Sequence, residues 1–373
     1  VDFTLSDDQE AMAALAGRIF AEKLRPDRLR EIEADESGRW FAEDVWLELA
    51  KADLLGVCLP ESVGGGGYGF FEACLLLEQQ GRAVAPLPLL ATLVLGALPI
   101  ARFGSAAQQS LLAGVIDGSV VLTAALAEAG DYLSPSRPGT EAVPDGAAFR
   151  LTGRKVVVPA AHLAARILVP ARAGRGVAVF VVDPGAGGVS IRPNTAINDE
   201  PLSTVELDGA LGEPLGAVEA GAEILDWITA RAIVGLCALQ TGVCDAAIRL
   251  TADYVSSREQ FGAKIGTFQA VAQRIADAYI DTEAIRLTAQ QAAWRLAEEL
   301  PAADEVHIAK FWACDGGHRV AHAAQHLHGG IGVDLDYPVH RYFRWAKVIE
   351  QTLGTATEHL RRLGRRIAAE PVA

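Results

Sequence analysis

The chain has 373 residues, 50% of them hydrophobic, and a formal net charge of −14. That length and apolar content allow a large buried core in two or three layers. The acidic balance argues against a nucleic-acid surface, which needs a basic stripe, but a few local arginines can still hold an anionic ligand.

The opening Val1-Asp2-Phe3-Thr4-Leu5-Ser6-Asp7-Asp8 is acidic and lacks the basic and apolar regions of a secretory leader. Ser6 can cap a helix whose apolar positions Met12, Leu15, Ile19 and Phe20 recur at helical spacing. A second amphipathic helix is expected over residues 41–55. The glycine run Gly64-Gly65-Gly66-Gly67 has no GKS/T ending and no strand before it, so it reads as a loop rather than a phosphate cradle. Helices follow over residues 70–81, 86–101 and 106–113. The apolar stretch 85–101 is broken by Pro86, Pro88 and Pro99 and reads as buried helix, not as a membrane span. Five cysteines without a CxxC pair (Cys58, Cys74, Cys237, Cys244, Cys314) read as buried thiols in a reducing cytosol. A cytoplasmic protein is expected, with no metal site and no membrane or nucleic-acid partner.

The hydrophobic period changes near Ser119. Short β-branched runs at residues 120–126, 148–152, 155–158, 165–169, 176–182, 189–191 and 204–207 predict a small β-barrel or sandwich. From Ala217 the helical period returns over residues 222–257, 266–300, 302–328 and 339–369, the pattern of an antiparallel four-helix bundle. The expected class is mainly α with a central β domain. The domains are a helical one over 1–118, a β domain over 119–215 and a C-terminal bundle over 216–373.

Two motifs sit in the last block. Arg258-Glu259-Gln260-Phe261-Gly262 puts an arginine and an aromatic ring at a helix end. Gln325-His326-Leu327-His328-Gly329-Gly330-Ile331-Gly332 carries a glycine pair that lets backbone approach an anion. Together they read as half of a dinucleotide site.

In order and spacing these features resemble the acyl-CoA dehydrogenase family over essentially the whole chain. The carriers are Leu59-Pro60-Glu61 with its glycines, Leu151-Thr152-Gly153-Arg154-Lys155, Arg258-x-x-Phe261-Gly262, Gln269, and Gly329-Gly330-x-Gly332 followed by Tyr337-Pro338-Val339. The resemblance implies oxidation of the Cα–Cβ bond of an acyl-CoA thioester. A carboxylate removes the α-proton while the β-hydrogen leaves as hydride to FAD. In that family each flavin site is shared between subunits. The contributions across the interface correspond here to Arg258, Phe261, Gln269, Gly329 and Gly330. The family's glutamine before the glycine pair falls on His326, with Gln325 beside it, and either side chain can reach the flavin; capping of polar backbone is the alternative.

The residues a subunit supplies to its own flavin are different. The segment Thr123-Ala124-Ala125-Leu126-Ala127-Glu128-Ala129-Gly130-Asp131 is poor in the family's hydroxyls, and Val157-Val158-Pro159 replaces its tryptophan–isoleucine–threonine patch. Leu353-Gly354-Thr355 stands where most members carry Glu-Gly-Thr, and residues 229–233, where others place the base, hold no carboxylate. No catalytic residue is therefore assigned; Glu350, a helical turn before Leu353, is the substitute to consider. The resemblance points to the non-catalytic subunit of an α2β2 bacterial enzyme. A second acyl-CoA dehydrogenase-like subunit would carry the glutamate and share the FAD, and the acyl-CoA substrate could be a sterol side-chain ester. The alternatives are a self-sufficient homo-oligomeric dehydrogenase with a displaced base and a flavin-free scaffold subunit. The arginines Arg361, Arg362, Arg365 and Arg366 read as a helix end opposing its dipole, with CoA phosphates as the other option.

Overall fold

A computed structural model describes residues 3–35, 37–131 and 137–369; Val1 and Asp2, part of the leader reading, lie outside the described residues. Helix α1 (Asp7–Lys23) starts as expected. The Ser6 hydroxyl accepts from Gln9 N at 3.3 Å while Gln9 Oε1 accepts from Ser6 N at 3.0 Å, a reciprocal capping box. Sequence periodicity missed α2 (Pro26–Glu33), which is short and begins on a proline. Helix α3 (Glu43–Lys51) is shorter than expected, because Asp53 turns left-handed (φ 57) just past its end.

The glycine run is a loop that closes on itself. The N–H groups of Gly64, Gly65, Gly66 and Gly67 donate to the carbonyls of Glu61, Pro60, Gly56 and Leu59. None of the four is left for an anion. Helix α4 (Phe70–Ala83) follows, then a π-wound segment (Leu90–Ala97) where an α-helix was expected. Pro99 has no N–H to donate within an α register, and the residues before it wind wider, with Leu98 N donating to Leu93 O. Three short helices complete this part: α5 (Leu98–Phe103), α6 (Ala106–Gln109) and α7 (Leu112–Ile116).

The strands are β1 (Leu122–Ala124), β2 (Glu141–Asp145), β3 (Ala148–Pro159), β4 (Arg166–Ala173), β5 (Gly176–Val182), β6 (Val189–Arg192) and β7 (Leu202–Pro214). They form one seven-stranded sheet in which β4, β2, β3, β7 and β5 close into a ring, because β5 also pairs with β4. β1 joins β4 in parallel and β6 joins β7 antiparallel. The interior is apolar, with Leu151, Ile167, Val169, Phe180 and Val205 fully buried. This is the small barrel that the alternating pattern predicts.

The last block contains α8 (Gly221–Ser257), a hairpin of β8 (Glu259–Gln260) and β9 (Ala263–Lys264), α9 (Gln269–Ala297), α10 (Ala303–His328), α11 (Val339–Gln351) and α12 (Ala356–Ala369). The fourth expected stretch is thus interrupted. Leu353 and Gly354 take positive φ (53 and 96) and turn the chain between α11 and α12. Helix α8 is long and apolar enough to cross a bilayer by length, but its apolar window is 78% buried, as in a core helix. Two compact units are defined by contact: Val1–Pro26 with Cys74–Ala85 and Ile233–Ala373, and Asp27–Ala73 with Pro86–Ala232. Within the first, α4 and α8 cross almost backbone to backbone: a Cβ on Gly242 would lie closer than 3.0 Å to Glu78 O, and one on Gly81 equally close to Leu239 O. Beside this crossing Arg286 donates to Glu78 and, at 3.0 Å, to Asp245, while Arg82 donates to Glu78 at 2.8 Å.

A candidate half-site for a dinucleotide

Both motifs lie in the first unit, and aromatic side chains tie them together. Arg258 closes α8, and its carbonyl accepts from Ile265 N at 2.9 Å across the β8–β9 hairpin. Phe261 and Gly262 form the two-residue turn, both with positive φ (53 and 76). That geometry favours asparagine and glycine, so phenylalanine is strained there. Its ring is 95% exposed, and its one ring contact among the described residues is the edge of Phe268 at 6.4 Å. The Arg258 side chain is exposed and has no ion pair or hydrogen bond among the described residues. Gln269, also exposed, is the first residue of α9.

One turn before Arg258, Tyr254 stacks on His328, the last residue of α10, with centroids 4.5 Å apart. His328 Nδ1 lies 2.8 Å from Ala324 O and so carries its hydrogen, which leaves Nε2 to accept from the Tyr337 hydroxyl at 3.2 Å. Burial holds this imidazole below its ordinary range, consistent with a neutral ring. The Tyr254–His328–Tyr337 cluster joins the end of α8 to the glycine turn. Sequence reasoning missed it. The aromatic residues are visible in the sequence, but that α8 and α10 end side by side and bring them into contact is not.

Gly329 follows with φ 61 and ψ −137, a backbone conformation open essentially to glycine alone. A Cβ on Gly329 or Gly330 would meet nothing within 4 Å, so this backbone faces open space. Gln325 folds under the turn, and its amide nitrogen would touch a Cβ placed on Gly332 at 3.0 Å. Its Oε1 is buried and has no hydrogen-bond partner. An orphaned acceptor beneath an open glycine turn suits a donor from a ligand, such as a ribose hydroxyl or an adenine amine. His326 is exposed, and its ring nitrogens have no partner among the described residues. The residues present therefore fit the adenosine and diphosphate part of a dinucleotide approaching from outside the chain.

Among the described residues, the barrel unit offers no comparable wall. Thr123 keeps a hydroxyl, but it is spent on Pro159 O at 2.7 Å. Val157 sits at a bulge in the β3–β7 ladder with φ 48 and no polar group to offer. Lys155 is fully buried on Glu128 at 2.7 Å, and Glu128 also receives Thr140 Oγ1 at 2.7 Å. Burial opposes the charge on the Glu128 carboxylate, but Lys155, Thr140 and Gly139 outweigh it and hold the carboxylate below its usual range.

The positions at which the family resemblance led a base to be expected hold other chemistry. Leu353 is 8% exposed, and its carbonyl accepts from His359 Nε2 at 2.9 Å. Glu350 receives Lys347 Nζ at 2.8 Å, with His318 Nδ1 at 3.3 Å, so its carboxylate belongs to a polar cluster on α10 and α11. In the 229–233 window the buried group is Arg231, whose guanidinium lies 3.7 Å from the Trp227 ring. All five cysteines are free and buried; burial pushes Cys58 and Cys237 up to about 12, as core thiols. Two of the four C-terminal arginines are engaged, Arg362 with Glu358 and Arg366 with Asp304.

Comparison with known proteins identifies the family. The family model described as acyl-CoA dehydrogenase, N-terminal domain, matches residues 6–119, and that described as acyl-CoA dehydrogenase, C-terminal domain, matches residues 221–368. Acyl-CoA dehydrogenase FadE27 of Mycobacterium tuberculosis is 39% identical over 380 residues, covering 100% of both chains. Among solved structures, a chain of a Tcur3481-Tcur3483 steroid ACAD variant is 46% identical with TM-score 0.92, covering 98% of this chain and 99% of that one. A chain of the ChsE4-ChsE5 complex from Mycobacterium tuberculosis is 39% identical with TM-score 0.94 and complete coverage of both (100%). With full-length relatives at this identity and both terminal domains matched, the chain belongs to the acyl-CoA dehydrogenase family.

Proposed function

We propose that this chain is the non-catalytic subunit of a cytoplasmic, heteromeric acyl-CoA dehydrogenase that desaturates an acyl-CoA thioester at Cα–Cβ. A second subunit of the same family would supply the carboxylate base. The observation that carries the reading is Phe261: strained, 95% exposed, and beside an Arg258 with no counter-ion among the described residues. Such a pair makes sense against a flat, anionic group held by another chain. Two similar structures, one of a steroid ACAD and one of a two-protein complex, support a sterol side-chain CoA ester as substrate and a heteromer as the working unit.

FAD, when bound, supplies the hydride acceptor for this reaction. Arg258 would neutralise its diphosphate, and Phe261 would cover it from solvent. Gln325 Oε1 would take a hydrogen bond from the adenosine part, with Gln269 and His326 at the rim. The open backbone of Gly329 and Gly330 lets a bulky anion approach. Leu353 holds no proton and moves none, and Glu350 is held by Lys347.

The test is co-expression. This chain alone should be colourless and inactive, whereas this chain with its partner should be yellow and turn over acyl-CoA. Arg258→Ala in the complex should lower flavin content. Yellow, active protein from this chain alone would sink the proposal.

A further inference from the structure

The glycine turn does not hold itself in place. A Cβ on Gly329 or Gly330 would meet nothing within 4 Å, and Val333 and Leu335 beyond them are 73% and 68% exposed. Within Gly329–Val333 the buried residue is Gly332. Backbone with this freedom and so few contacts loses entropy whenever a ligand orders it. What fixes its position must therefore act at its two ends.

Both ends are held by one imidazole. His328, 3% exposed, is the last residue of α10 and directly precedes Gly329. Its Nδ1 donates to Ala324 O at 2.8 Å, inside its own helix, while its Nε2 accepts from the Tyr337 hydroxyl at 3.2 Å, nine residues on. The Tyr337 carbonyl accepts from His340 Nδ1 at 2.7 Å, which ties that residue to α11. The glycine turn is thus a loop closed by a hydrogen bond between side chains. The same ring stacks on Tyr254 at 4.5 Å with 25° between the planes. Tyr254 O accepts from Arg258 N at 2.8 Å, one helical turn along the chain. An apolar side chain of this size would fill the space, but it would neither anchor to α10 nor close the loop. A neutral imidazole does both, with a donor on one edge and an acceptor on the other.

We propose that His328 is the positioning residue of the half-site, holding Arg258 and the Gly329–Gly330 backbone in one fixed relation before any anion arrives. The ring itself touches no ligand. It acts through the arginine and the glycine backbone, whose ordering is then complete before binding and no longer subtracts from affinity. The inference rests on the half-site reading and adds the group that preorganises it.

The test is a double-variant cycle on the co-expressed complex, read as the FAD dissociation constant. His328→Phe keeps a flat ring for Tyr254 and removes both hydrogen bonds; it should weaken FAD binding roughly tenfold. Arg258→Ala should weaken it roughly 10- to 100-fold. Together they should weaken it by clearly less than the product of the two, because a misplaced arginine has less left to lose. Losses that multiply, or an affinity unaltered by His328→Phe, would overturn the positioning role and leave the imidazole as packing. Tyr254→Leu removes the stack and spares both hydrogen bonds of His328. It gives a second cycle with the same expectation and the same refutation if His328→Phe does not fold. An FAD affinity unmoved by Arg258→Ala would sink the half-site reading and this inference with it. A loss at Arg258 that simply multiplies with the loss at His328 would sink the positioning role alone.

Discussion

Replacing Phe261 by alanine separates what this residue does for its own chain from what it does for an assembly. In the chain alone the ring is 95% exposed, so truncation removes almost no buried apolar surface. The positive φ (53) disfavours alanine as it does phenylalanine, so the strain is nearly unchanged. The isolated chain should therefore change in stability by no more than about 0.5 kcal/mol, and its melting temperature by no more than about 2 °C. In the complex, burying a phenylalanine side chain stabilises by about 1.5–3 kcal/mol, which converts to an affinity loss of roughly 10- to 150-fold for Phe261→Ala. The assays are a thermal melt of the chain alone and a flavin dissociation constant for the co-expressed complex. A large fall in the melting temperature, or an unaltered flavin affinity, would refute the reasoning.

Two further changes test the scaffold. Gly242→Ala places a Cβ closer than 3.0 Å to Glu78 O at a crossing of two helix backbones, where no side chain can yield; it should cost about 2–3 kcal/mol, read by denaturant unfolding. His359 is buried on Leu353 O and against His307 Nδ1 at 3.0 Å, and burial pushes it from 6.5 down to about 3. With the folded value lowered, the unfolded chain binds the proton first. The site's stability is complete above about pH 6.5 and falls as pH drops toward about 3, by up to about 1.4 kcal/mol per pH unit. Wild type should lose stability more steeply than His359→Gln across that window; parallel slopes in urea unfolding would contradict the burial account.

The architecture was legible wherever one physical period ran uninterrupted. The apolar spacing of α8 and the alternation of β7 needed no tertiary information. The reading failed where tertiary geometry overrode the period: at Asp53 and Leu353, whose left-handed backbone ends a helix, and at the π-wound residues before Pro99. At the site, Arg258, Phe261 and the glycine pair could be named from motif spacing, because glycine at φ 61 and an arginine at a helix end carry their chemistry in their identity. What joins them could not. The contact between Tyr254 and His328 exists only because α8 and α10 end side by side, and nothing local in either motif specifies that.

Two strained residues, Phe261 and Leu353, show how the chain divides its functions. Each non-glycine residue with left-handed backbone costs on the order of 1 kcal/mol or more, and something must hold it there. At Leu353 (φ 53) that something is inside the chain. His359 donates to its carbonyl, Lys310 Nζ donates to Ile349 O at 2.5 Å, and the Cys314 thiol donates to Glu350 O at 3.4 Å. The turn is finished, and the side chain it carries is inert. At Phe261, also φ 53, the hairpin fixes the backbone but nothing covers the ring, and the arginine three residues earlier has no counter-charge among the described residues. The interactions that would compensate this second strain are missing from the chain's own surface. That contrast, an internally compensated turn at Leu353 and an uncompensated one at Phe261, is what the proposed sharing of a flavin with a second subunit would explain.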